Sequence, residues 1–79
     1  MTADALAEAG ALSVDARGMR CPWPALRLAR AMRQADDVLL IADDPQAARE
    51  VAALAGEQGW RIDGAVAPSG EGRWRVRRG

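Results

Sequence analysis

Apolar positions fall into two kinds of segment along this chain. Four short stretches have strand length, and two longer ones carry apolar residues at three- and four-residue spacing. Over residues 11–16, Leu12 and Val14 alternate with Ser13 and Asp15, which predicts a short strand ended by Arg17-Gly18. Pro22 to Gln34 predicts a first helix, with Ala25, Leu28, Ala29 and Met32 on one face and Leu26 alongside. Val38-Leu39-Leu40-Ile41-Ala42 is a continuous apolar run, as expected of a strand placed centrally in a sheet. Asp44 as N-cap and Pro45 as N1 open a second helix over Pro45–Gln58. It turns Ala47, Ala48, Val51, Leu54 and Ala55 inward and stops at Gly59. Trp60 to Val66 alternates weakly and predicts a third strand. Pro68-Ser69-Gly70-Glu71-Gly72 is a turn cluster. Arg73 to Arg77 alternates cleanly, with Trp74 and Val76 inward and three arginines outward. It forms a hairpin with the strand before it.

The predicted order is therefore β-α-β-α-β-β. Such a chain folds as an α+β protein, a two-layer α/β sandwich with a four-stranded mixed sheet and two helices on one face. Residues 1–10 read as a flexible N-terminal tail, and residues 11–79 as one domain. A length of 79 residues suits a single small domain, and an apolar content of 49% suffices for a core. No run approaches the ~18 apolar residues of a membrane-spanning helix. Residues 1–10 are acidic and Ala-rich, without the basic start of a targeting segment, so a cytoplasmic location is expected.

Charge and chemistry narrow the functions. Eleven basic and eleven acidic residues cancel, which argues against nucleic-acid binding driven by bulk charge. Every basic residue is an arginine. Without lysine or histidine there is no Schiff-base amine and no imidazole proton shuttle. A single cysteine excludes an internal disulfide and, with no histidine, any ordinary zinc site. Cys21 is left as the candidate nucleophile.

Cys21 lies in Gly18-Met19-Arg20-Cys21-Pro22-Trp23-Pro24, at the mouth of the first helix. With Cys21 as N-cap, Pro22 and Pro24 fall at N1 and N3, where no helical partner awaits a backbone N–H. The helix dipole, a free N–H at Trp23 and the charges of Arg17 and Arg20 then favour a thiolate. Thiols so placed drop from ~8.5 into the ~3.5–7.5 range, and a pKa depressed toward neutrality is expected. The plainer alternative makes Cys21 a small buried hydrophobe. Arg27, Arg30 and Arg33 form either the solvated face of the helix or, through Arg27 and Arg30, a docking surface for an acidic partner. Arg73, Arg75 and Arg77 read as a solvated or edge-strand face. Asp43 and Asp44 read as a cap and its neighbour. Trp60 and Trp74 belong to the core, and Trp23 to the exposed surface.

The stretch Asp15-Ala16-Arg17-Gly18-Met19-Arg20-Cys21-Pro22-Trp23-Pro24 resembles the signature of the TusA-like (SirA-like) sulfur carriers, an Asp-x-x-Gly-Leu/Met-x-Cys-Pro-x-Pro segment joining the first strand to the first helix. Ala42-Asp43-Asp44-Pro45 resembles the Asp-Pro step that often opens the family's second helix. The resemblance covers residues 11–77. It implies that Cys21 accepts sulfane sulfur as a transient persulfide, with Asp15, Arg17, Gly18, Arg20, Pro22, Trp23 and Pro24 shaping its motif and no other cofactor. It implies a donor such as a cysteine desulfurase or rhodanese, and a downstream acceptor protein with a reactive cysteine. The family's destinations include tRNA thiolation, molybdenum-cofactor maturation and oxidation of inorganic sulfur. Neither a membrane nor direct nucleic-acid binding is expected. Many members have Gly-His where this chain has Gly59-Trp60. Two other functions compete: an interaction module in which Cys21 is inert, and a self-contained peroxidase or reductase, for which the chain lacks a second cysteine.

Overall fold

Two parallel strands and the helix between them set the frame. β2 (Leu12–Asp15) lies parallel to β3 (Asp37–Ala42), with Val14 opposite Leu40, and α1 (Trp23–Met32) crosses between them. α2 (Ala47–Gln58) then leads from β3 to β4 (Trp60–Val66), and β5 (Gly72–Arg78) returns antiparallel between β3 and β4. The computed structural model describes residues 5–6 and 10–79. Of the tail expected over 1–10, most lies outside the described residues. Ala5–Leu6 form a two-residue strand, β1, paired antiparallel with Leu12 and Ser13. The sheet order is β1-β2-β3-β5-β4. Apart from the short β1, this is the two-layer α+β architecture with a four-stranded mixed sheet.

Both crossovers run in the same direction across the sheet. Their right-handed sense therefore puts α1 and α2 on the same face, where they touch each other. Alternation along the strands selects that face. Val14, Val38, Leu40, Trp74 and Val76 point into the layer and are buried with Leu28, Met32 and Val51. No polar or charged residue is buried among those described. The opposite face carries Asp15, Asp37, Arg73, Arg75 and Arg77. Arg75 grips Asp37 there with two bonds of 2.5 and 2.6 Å.

Three expectations change. The inward stripe of α1 is Pro24, Leu28, Ala31 and Met32, while Leu26 is 50% exposed. At 100° per residue, Leu26 stands on the far side of the helix from Leu28. The arginine strand β5 is internal, so its outward arginines are not an edge. The α2 helix begins at Ala47 rather than Pro45. Gln46, not the expected Asp44, is the N-cap; Asp44 closes the turn before the helix, its carboxylate accepting the Gln46 N–H at 3.2 Å and its carbonyl accepting the Ala47 N–H at 2.9 Å. At its other end Gly59, with φ 74°, donates its N–H to the Ala55 carbonyl.

Trp74 needs two glycines. Its register partner across the hairpin is Gly64, and Gly72 precedes it on the same face. A Cβ on either would overlap the indole ring. On Gly64 it would also strike the Arg73 carbonyl and the Trp74 backbone. The bare glycines let the ring lie against the sheet, leaving Trp74 6% exposed.

Candidate functional site

Parallel neighbours end at the same edge of a sheet. The loop after β2 and the loop after β3 therefore lie side by side, the usual place for a site in a parallel α/β arrangement. The first of these loops holds Cys21, and the second holds Asp43 and Asp44.

The cysteine loop is built from short-range bonds. The Ala16 N–H still donates to Ile41 at 2.7 Å, so the strand geometry continues to the last residue before the turn. Met19 then donates to the Ala16 carbonyl at 3.2 Å, with Gly18 at φ 82° where glycine turns without steric cost. Asp15 braces the turn. It accepts the Arg17 backbone N–H at 3.1 Å and the guanidinium at 2.9 and 2.7 Å. These bonds hold the Asp15 carboxyl at about 2, below its ordinary 3.8. Arg17 also reaches Glu71 at 3.6 Å. Its charge is thereby committed to carboxylates and not to the thiol.

The second loop clamps the first. Asp43 accepts the Gly18 N–H at 2.9 Å, and Asp44 accepts the Cys21 N–H at 3.2 Å. The same Asp44 oxygen also accepts the Gln46 N–H. One carboxylate thus ties the start of α2 to the cysteine. In place of the expected cap and its neighbour, the two aspartates form a clamp on the cysteine loop. The signal was available in the topology, because a β-α-β-α order with parallel strands brings these loops together.

Helix α1 starts one residue later than expected. Pro22 is the N-cap, with φ −96° and ψ 13°, and Trp23 is the first helical residue. The Arg20 carbonyl accepts the Trp23 N–H at 2.8 Å, closing a turn around Cys21 and Pro22. That bond removes the donor expected to face the sulfur, and Pro22 and Pro24 have none to offer. Pro24 is buried under the helix, Arg20 and Pro22 are exposed, and Trp23 is 58% exposed. Arg27 is half-buried, its guanidinium 3.9 Å from the Met19 sulfur, so it buttresses the loop. Arg30 stands exposed in the last turn.

The electrostatics at the thiol reverse the expected sign. Cys21 is half-buried, and its pKa is raised. Desolvation is the largest cause, followed by the charge of Glu50 and a hydrogen bond to it, then by the charge of Asp44. Arg49 alone among the named neighbours opposes the rise. At the helix terminus the Trp23 N–H is spent on the Arg20 carbonyl, and Pro24 has no N–H to offer the sulfur. Glu50, in the first turn of α2, was not anticipated from sequence. Its N–H bonds the Gln46 carbonyl at 3.0 Å.

The fold and the loop can be set beside known proteins. Residues 12–78 match the family described as sulfurtransferase TusA. The chain belongs to the TusA family. Its solved structural neighbours include a SirA-like protein from Desulfitobacterium hafniense. That crystal structure superposes with a TM-score of 0.75 at 20% identity, over 85% of this chain and 96% of the other. At that identity the likeness speaks for the fold. The family match spans β2 through β5, and so takes in the whole cysteine loop and its aspartate clamp. TusA-family proteins are sulfur carriers, and the site offers a single half-buried thiol on a loop of the two-layer frame.

Proposed function

We propose that Cys21 accepts a sulfane sulfur from a donor protein and carries it, as a persulfide, to the thiol of an acceptor. The loading step is a displacement. The Cys21 thiolate attacks the outer sulfur of a donor persulfide, R–S–SH. A Cys21 S–S bond forms, the donor S–S bond breaks, and the donor leaves as the thiolate R–S⁻. Unloading is the same exchange at an acceptor thiolate.

The observation that carries this proposal is the combination of family membership with the placement of the chain's single cysteine. Cys21 lies in the family's motif, on a loop braced from both sides by Asp15, Asp43 and Asp44. No second cysteine is in the chain to divert the cargo into an internal disulfide. The donor is a cysteine desulfurase or a rhodanese-type protein. The destination is tRNA thiolation, cofactor maturation or the metabolism of sulfur compounds, in the cytoplasm. Among the described residues no helix is long and apolar enough to cross a membrane.

Intact-mass spectrometry tests this directly. After incubation with a cysteine desulfurase and cysteine, or with a low-molecular-weight persulfide donor, the wild-type chain is expected to gain one sulfur atom and Cys21→Ser none. A wild-type mass unchanged by every donor would overturn the proposal.

The raised pKa of Cys21 and the exposure of Trp23 and Leu26 favour a second reading, an interaction module whose cysteine is unreactive. In that case Cys21→Ser retains partner binding and function, whereas a carrier loses its function with its sulfur.

A further inference from the structure

β4 is the last strand on its side of the sheet, so one flank of it has no partner strand among the described residues. It runs seven residues without a proline, and its register with β5 is continuous from Trp60 to Val66, without a bulge. A regular edge of that length is open to pairing with another strand. The hydrogen-bond phase of the edge is fixed. The Ala67 N–H donates to the Glu71 carbonyl at 2.8 Å, and the Arg78 N–H donates to the Asp36 carbonyl at 3.0 Å. Bonding direction alternates along an antiparallel ladder. Arg61, Asp63 and Ala65 therefore bond β5, while Trp60, Ile62 and Gly64 turn N–H and C=O outward. Side chains alternate too. Trp60 and Ile62 pack half-buried on the core, while Arg61 and Asp63 stand exposed on the open face of the sheet. Neither Arg61 nor Asp63 forms an ion pair among the described residues.

We propose that this edge pairs with the same edge of a second copy, antiparallel about a two-fold axis at Ile62, to give a homodimer with one continuous sheet. In that register Arg61 stands opposite Asp63 of the second copy, and Asp63 opposite its Arg61. Ile62 meets its own counterpart, and Trp60 meets Gly64, which has no side chain to displace. The outward N–H and C=O groups of Trp60, Ile62 and Gly64 fall opposite one another, as hydrogen-bonded pairs require. The charged pairs fall at the intervening positions, where side chains across a ladder are closest. The neighbouring registers of the same hydrogen-bond phase lose this match. An axis at Asp63 sets two aspartates face to face, and an axis at Arg61 sets two arginines face to face. A two-fold contact needs a surface complementary to itself, and Arg61-Ile62-Asp63 supplies one. Charge thus selects both the occupant and the register.

One strand from each copy makes a small contact, so the dimer is weak, half formed at roughly 0.1 mM chain. β5 separates the edge from β3 and β2, whose loops hold Cys21 and its aspartates. The two-fold axis reverses strand direction, so the two cysteine loops stand at opposite ends of the joined sheet. The pairing is therefore independent of what Cys21 carries.

Sedimentation equilibrium of the full chain, from about 10 µM to about 1 mM, tests this. The weight-average mass is expected to climb from 8.4 kDa toward twice that value. Asp63→Arg and Arg61→Asp each put like charges across the axis, and each is expected to weaken self-association several-fold. Mixed together, the two variants set arginines of one chain against aspartates of the other. The mixture is expected to associate several-fold more tightly than either variant alone. The double exchange Arg61→Asp/Asp63→Arg is expected to restore the homodimer. Amide hydrogen exchange of the wild-type chain, read by NMR, reports the register without any substitution. The Ile62 and Gly64 N–H groups are expected to exchange several-fold more slowly at the highest concentration than at the lowest. A wild-type chain that stays monomeric throughout, an Asp63→Arg chain that associates like wild type, or a mixture no tighter than its components would overturn the proposal. Concentration-dependent protection on α1 instead of β4 would overturn it equally, by placing the contact elsewhere.

Discussion

Single positions in this chain are decided by what stands opposite them. Trp74 could be assigned to the core from alternation alone, but its need for two glycines could not, because Gly64 and Trp74 meet only across the hairpin. A Cβ at Gly64 would meet backbone atoms of Arg73 and Trp74 that cannot swing aside. Gly64→Ala is therefore expected to destabilise the fold by roughly 1–3 kcal/mol, read as a lower midpoint in urea unfolding. Gly56 gives the opposite case. It lies inside α2 with open space around it, so Gly56→Ala is expected to stabilise by about 1 kcal/mol. A fall in stability for Gly56→Ala would show that the end of α2 is held by something other than helical propensity. Cys21 obeys the same rule. Its own neighbours in sequence, arginines and a helix start, argued for a lowered pKa. Glu50, 29 positions away by the difference of the two residue numbers, takes part in raising it.

At the scale of elements, periodicity was a good guide to where helices and strands lie, and a weaker one to their first residues. Both helices begin later than their prolines suggest. In each, a turn precedes the helix: Arg20–Trp23 before α1 and Asp44–Ala47 before α2. An N-cap is a matter of backbone dihedrals, and a proline can sit in the preceding turn as readily as in the first helical one. The apolar stripe of α1 was partly legible. Periodicity puts Leu28 and Met32 inward, as the structure does, but it also sets Leu26 beside them, although its angle puts it outside. Leu28→Ala is expected to cost about 2–5 kcal/mol, because the side chain is fully buried and its removal leaves a cavity. Leu26→Ala is expected to change stability by under about 0.5 kcal/mol. Chemical unfolding of the two variants checks the assignment, and equal losses would contradict the observed face of α1.

For the whole molecule, the decisive feature is that the last strand is an inner one. β5 pairs with β3 along one side and β4 along the other, and it carries Trp74 and Val76 into the core. Without it β4 has no partner in the sheet, and β3 loses one of its two neighbours. Deleting residues 72–79 is accordingly expected to abolish the cooperative fold rather than fray one end, seen as loss of dispersion in the amide NMR spectrum and of a sigmoidal melt. A dispersed spectrum from the shortened chain would mean that β2, β3 and the helices hold without their neighbour. The sequence alone determined the order of the elements from β2 to β5, the fold class, the apolar faces of α2 and β5, and the cysteine motif. Each of these is carried by local spacing or by residue types with strong backbone preferences. Tertiary structure decided the internal place of the arginine strand, the aspartate clamp on the cysteine loop, the glycines beneath Trp74 and the sign of the thiol's pKa shift. Each of those depends on groups distant in sequence that meet only when the two parallel strands end side by side and the hairpin closes, and no periodicity within one element encodes such a meeting.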